Sequence, residues 1–104
     1  MQAEELKKII NETLENYAPY LNEKVYKIVN KIIKLEDGEK SSITELLGDS
    51  ELTQNQLFDL YLCVNKVCKK IGIILDFSSE NAKTDGLLYE MLFKKYSINK
   101  KSEL

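Results

Sequence analysis

The residues of this chain that offer reactive chemistry are few: Cys63, Cys68 and 15 basic side chains, every one of them lysine, with histidine, arginine and tryptophan all absent. Without imidazole there is no ordinary general base for a nucleophile and no histidine-containing zinc site, and two cysteines are too few for a four-cysteine one. Cys63 and Cys68 stand five apart on what reads as a helix, too far along and around it to bond to each other, so both read as reduced, small apolar fillers. Paired acids such as Asp76 and Glu90 would meet only if the fold carried them together. Neither catalysis nor a metal or cofactor is expected, which leaves binding chemistry.

The lysines are unevenly spread. Residues 1–52 carry 7 lysines and 11 acids, residues 53–104 carry 8 lysines and 6 acids, so a formal charge of -2 divides into -4 and +2. Lys66, Lys69 and Lys70 have no acid between 60 and 75, and Lys94, Lys95, Lys100 and Lys101 have none between 91 and 102. Two basic clusters suit a polyanionic partner, and a solvated lysine face is the competing reading. A length of 104 residues allows one domain and hardly two, and 43 % apolar residues supply a core without metal or disulfides. No stretch approaches the ~20 apolar residues of a membrane span, and Met1-Gln2-Ala3-Glu4-Glu5 places acids where a secretory signal carries lysines. A cytoplasmic chain with no membrane contact is expected.

The elements that must position these residues follow from spacing. Ala3, Leu6, Ile10, Leu14 and Tyr17 recur at helical intervals, predicting an amphipathic helix over 2–17 that Pro19 ends. A second helix is predicted over 23–35, capped by Asn22, with Val25, Ile28, Ile32 and Leu35 on one stripe and the turn Glu36-Asp37-Gly38 after it. Ser41-Ser42-Ile43 reads as a brief strand or, through Ser42 and Glu45, as the capping box of a short helix over 44–47 that Gly48 stops. Thr53 and Gln56 form a second capping box, with Leu52 and Leu57 as a hydrophobic staple, and open a helix over 53–71 that Gly72 ends. Beyond it, Ile73-Ile74-Leu75-Asp76-Phe77 and Leu87-Leu88-Tyr89-Glu90-Met91-Leu92-Phe93 read as strands of a hairpin around a polar tip over 78–86. Residues 97–104 read as a frayed tail.

Helix, short strand, short helix, sharp turn, longer helix and two-stranded hairpin is an order that resembles winged helix-turn-helix DNA-binding domains. It covers residues 23–95, carried by Ser42-Ile43-Thr44-Glu45-Leu46-Leu47-Gly48 and Leu52-Thr53-Gln54-Asn55-Gln56-Leu57. The fold class expected is therefore α+β, mainly helical: a single winged-helix domain over 1–104 with an additional N-terminal helix over 1–18 and a C-terminal wing hairpin. The resemblance implies that the helix over 53–71 is the recognition helix and that the tip over 78–86 is the wing. In size and element order the chain is also similar to the winged-helix relaxosome accessory proteins of clostridial conjugative plasmids, the TcpK type. That likeness implies a homodimer and a plasmid site near an origin of transfer, with other DNA-processing proteins as further partners; a small transcriptional regulator is the nearby alternative.

On this reading duplex DNA is contacted by Gln54, Asn55, Lys66, Lys69, Lys70, Asn81, Lys83, Thr84, Lys94 and Lys95. Glu51 and Asp59 sit where a major-groove reader would want donors, and without arginine the bidentate grip on guanine is missing, so the preference should lean toward A·T or toward shape. The wing, with Lys83 and Asn81, should then matter more than the start of the recognition helix. Phe58, Leu62, Leu88 and Leu92 stand off the main apolar stripes and are covered either by the first helix or by a second copy in a dimer interface. A function of a different class stays open: a protein–protein interaction module on the same scaffold, using its apolar and acidic faces.

Overall fold

The computed structural model describes residues 2–36, 38–41, 45–46, 53–77 and 98–102. Helix α1, Ala3–Leu14, starts with Glu4 and Glu5 in its first turn, where carboxylates meet the positive end of the helix dipole. Leu6, Ile10 and Leu14, four apart, are its buried stripe. The helix stops three residues short of Tyr17: Tyr17 and Ala18 both donate their N–H groups to the Leu14 carbonyl, Ala18 is buried, and Tyr17 turns outward at 46 % exposure. Tyr17 is thus not the core residue its spacing suggested.

Pro19–Leu21 forms one turn of 3-10 helix, with Pro19 at the start, where a missing N–H costs nothing. It leads straight into α2, Asn22–Lys34, so Asn22 is the first residue of the helix and not its cap. The Asn22 amide is spent instead on α1, its Nδ2 donating to Asn11 Oδ1 at 2.8 Å. Val25, Ile28, Val29 and Ile32 are buried. After α2, Gly38 adopts φ 85°, a left-handed conformation that glycine enters without a Cβ penalty.

Strand β1 is the pair Lys40–Ser41. Glu45 and Leu46 are helical; Leu46 is buried, and its carbonyl accepts from Lys31 Nζ at 2.8 Å, which ties this turn to α2. Ser41 Oγ donates to Glu45 Oε2 at 3.1 Å. Ser42, Thr44, Leu47, Gly48 and Leu52 lie outside the described residues.

Helix α3, Gln54–Lys70, opens as predicted. Gln56 N–H donates to Thr53 Oγ1 at 3.2 Å while Thr53 N–H donates to Gln56 Oε1 at 3.0 Å, a reciprocal capping box. Leu60, Cys63, Val64, Val67 and Cys68 are buried, and Gly72, at φ 83°, ends the helix.

Strand β2, Ile73–Phe77, follows, and its alternation is that of a half-buried strand: Ile73 and Leu75 face the core while Ile74 is exposed. Its described partner is β3, Ile98–Ser102, in antiparallel register from Ile73 opposite Ser102 to Phe77 opposite Ile98. β1 pairs with the other edge of β3, Lys40 opposite Asn99 and Ser41 opposite Ile98, so the sheet order is β1-β3-β2. The segment expected to fray as a tail therefore supplies the central strand. The strand expected over Leu87 to Phe93 lies outside the described residues.

Lys100 shows what holds β3. Its side chain is buried opposite Leu75, and Nζ donates to the carbonyls of Ile33 at 3.0 Å and Leu35 at 2.7 Å, the unpaired end of α2. The Gly38 N–H in turn donates to the Lys100 carbonyl at 3.2 Å. A cation at a helix C-terminus also meets the negative end of the dipole. The architecture is α+β and mainly helical, with α1, α2 and α3 packed around one core beside the small sheet.

Candidate nucleic-acid interface

The 3.6-residue period of α3 puts Asn55, Asp59, Leu62, Lys66 and Lys69 along one side, opposite the buried stripe. Asn55, Lys66, Lys69 and Lys70 are exposed, so the three lysines expected to meet phosphates form one wet cluster in the C-terminal half of the helix. Lys69 and Lys70 occupy the last turn, where the helix dipole favours a cation without any partner. Gln54 is the first residue of α3. Asn81, Lys83, Thr84, Lys94 and Lys95 lie outside the described residues, as do Leu88 and Leu92.

Lys100 leaves the second basic cluster. It belongs to the expected run of Lys94, Lys95, Lys100 and Lys101, yet its ammonium is directed inward to α2 carbonyls. The pleat explains the divergence of the neighbours, since Lys101, opposite Ile74, is exposed.

Asp59 has a role the sequence did not suggest. Tyr17 Oη donates to its Oδ1 and Tyr20 Oη to its Oδ2, each at 3.3 Å, so the carboxylate bridges two phenols from the α1–α2 junction. Lys66 Nζ lies 4.5 Å from the centroid of the Tyr17 ring, a cation–π distance. Desolvation, followed by the charge and hydrogen bond of Asp59, holds both phenols above their ordinary pKa, so they stay donors. Tyr20 is 61 % exposed. Sequence reasoning missed the pairing of these two tyrosines; Pro19 marked the helix end between them, but nothing in the spacing named Asp59 as their acceptor.

Phe58 and Leu62 are half-buried and pack against the chain's own core. Cys63 and Cys68 are free and buried, as read, and burial pushes their thiols up to about 11 and about 12, away from nucleophilic use. An open cleft of about 430 Å³ between α1 and α2, lined by Lys7, Ile10, Asn11, Asn22 and Tyr26 among others, has Lys7 Nζ 5.1 Å from the Tyr26 ring centroid. It shares no residue with the α3 lysines. No helix among the described residues is long and apolar enough to cross a membrane. Compared with family models, curated proteins and solved structures, the chain matches none.

Proposed function

We propose that this chain is a non-catalytic DNA-binding protein on a winged helix-turn-helix scaffold, docking on duplex DNA through the lysines of α3 and the segment between β2 and β3. The observation that carries the reading is the element order: α2, β1, a helical turn at Glu45 and Leu46, α3, then β2 and β3 in a sheet of order β1-β3-β2. In a winged helix the second long helix precedes two antiparallel strands whose connection is the wing. Between β2 and β3 the sequence runs through residues 78–97, which include the expected wing tip over 78–86 with Asn81, Lys83 and Thr84, and Lys94 and Lys95 after it. The exposed Lys66, Lys69 and Lys70 supply the charge complementarity.

The resemblance to relaxosome accessory proteins supports a role at a mobile-element site, with a small transcriptional regulator as the neighbouring role and a homodimer as the assembly. A protein partner is the second reading, favoured by the exposed Ile74 and by the net acidity of residues 1–52.

A titration of the full chain against AT-rich and GC-rich duplexes at several salt concentrations tests the proposal. Replacing Lys66, Lys69 and Lys70 together by Ala should weaken binding to every duplex alike and flatten the log–log salt slope by roughly 0.9 for each phosphate no longer neutralised. Lys83→Ala with Asn81→Ala should weaken AT-rich binding more than Gln54→Ala with Asn55→Ala, because narrow A·T minor grooves concentrate the potential that attracts a lysine. Salt-independent or absent binding to both duplexes overturns the proposal.

A further inference from the structure

We infer that Tyr17 and Tyr20 form a stacking platform for unpaired bases, so that the nucleic acid this chain prefers carries a single-stranded stretch beside its duplex. The inference rests on the DNA-binding reading above and concerns the same face of α3.

The platform is built from three elements. α1 ends at Leu14, the buried Ala18 and the 3-10 turn Pro19–Leu21 fix the chain between the tyrosines, and Asp59 on α3 receives both hydroxyls at 3.3 Å. Each phenol is thereby held at its polar end, while the residues stay exposed, Tyr17 at 46 % and Tyr20 at 61 %. Rings held in this way lose little further freedom when a base stacks on them. Lys66 Nζ lies over one face of the Tyr17 ring, 4.5 Å from its centroid, so Tyr17 can offer a base only its other face, and the exposed Lys69 and Lys70 follow within a turn of α3 as cations for the strand's phosphates. The acid between them is engaged at both oxygens by the phenols and holds the platform together.

Width decides between paired and unpaired bases at this point of the helix. An α-helix with its own side chains is about 10–12 Å across and just fits the ~12 Å width of the B-form major groove. With two tyrosines hydrogen-bonded along its flank at Asp59, the middle of α3 is too broad to reach the groove floor. Unpaired bases impose no such limit, and every base offers a face to a phenol.

The test uses the full chain with labelled oligothymidine of about 16 nucleotides, a blunt duplex, and the same duplex with a single-stranded extension. Wild type should bind the extended duplex more tightly than the blunt one. Tyr20→Ala should weaken binding of oligothymidine and of the extended duplex by about 5- to 150-fold, the loss of one base stack. Tyr20→Phe, which keeps the aromatic face but loses the hydroxyl that Asp59 holds, should bind more weakly than wild type and more tightly than Tyr20→Ala, and blunt-duplex binding should change less than about twofold in either variant. Circular dichroism confirms that the variants fold, and Tyr20→Leu, which keeps bulk without an aromatic face, should behave as Tyr20→Ala. If the extension adds nothing and Tyr20→Ala binds as wild type does, the platform is overturned while duplex binding stands. If Tyr20→Ala weakens blunt duplex and oligothymidine equally, the tyrosines only position α3 and the platform is again overturned. Single-strand binding that Tyr20→Ala weakens, without duplex binding, upholds the platform and overturns the duplex proposal; single-strand binding indifferent to Tyr20→Ala overturns the platform, and no binding to any of the three overturns both.

Discussion

Replacing Lys100 by Met should destabilise the fold without changing how the chain meets DNA. Methionine keeps most of the apolar stem and removes only the ammonium, which donates to the Ile33 carbonyl at 3.0 Å and the Leu35 carbonyl at 2.7 Å. Hydrogen bonds to a charged group contribute about 1.5–3 kcal/mol each, so two give a gross loss of about 3–6 kcal/mol. Against this stands the cost of holding an ammonium at 8 % exposure, which the variant no longer bears and which amounts to several kcal/mol per buried ion before compensation. The freed carbonyls stand at a helix end and regain part of their hydration. A net loss of about 1–3 kcal/mol follows, and at about 4–8 °C per kcal/mol for a domain near this size a 2 kcal/mol loss lowers Tm by roughly 8–16 °C. Urea unfolding followed by far-ultraviolet circular dichroism measures it, with Lys8→Met on the exposed side of α1 as a control expected within about 0.5 kcal/mol of wild type. A Lys100→Met variant as stable as the control would refute the capping role. A flattened salt dependence of DNA binding in Lys100→Met would show that the ammonium reaches phosphate.

Thr53→Ala should cost about 1 kcal/mol by removing the acceptor for the Gln56 N–H, whereas Thr53→Ser should keep most of the stability; equal urea midpoints for Ala and wild type would mean that the cap contributes nothing in solution. The thiols give a pH dependence of known sign. Their folded-state values, about 11 for Cys63 and about 12 for Cys68, lie above the ordinary 9.0, so the stability they contribute is full below pH 9.0 and is lost as the pH rises toward the folded values. A variant with both cysteines replaced by Ala, less stable at neutral pH through the cavities left, should lose less than wild type between pH 9.0 and about 11; parallel curves would argue against buried, neutral thiols.

What the sequence determined was local. Leu6, Ile10 and Leu14 set the buried stripe of α1, and Thr53 with Gln56 marked the start of α3, because helix periodicity and capping are satisfied within a turn or two of the residues that carry them. Gly72 marked the end of α3 for the same reason: the left-handed turn it supplies is a property of one residue. The α3 lysines were also legible, since their exposure follows from lying opposite the apolar stripe. Only the tertiary structure decided the central strand and the role of the charges on it. Ile98-Asn99-Lys100-Lys101-Ser102 lacks the alternating apolar pattern that announces a strand; it is a strand because β1 and β2 pair with its two edges and because Lys100 finds the end of a helix sixty-five and more residues earlier. Asp59 and its tyrosines are the same kind of case. A carboxylate read along the chain is a charge that repels phosphate, whereas two phenols from thirty-nine and forty-two residues away make it an acceptor, and no local rule carries that distance.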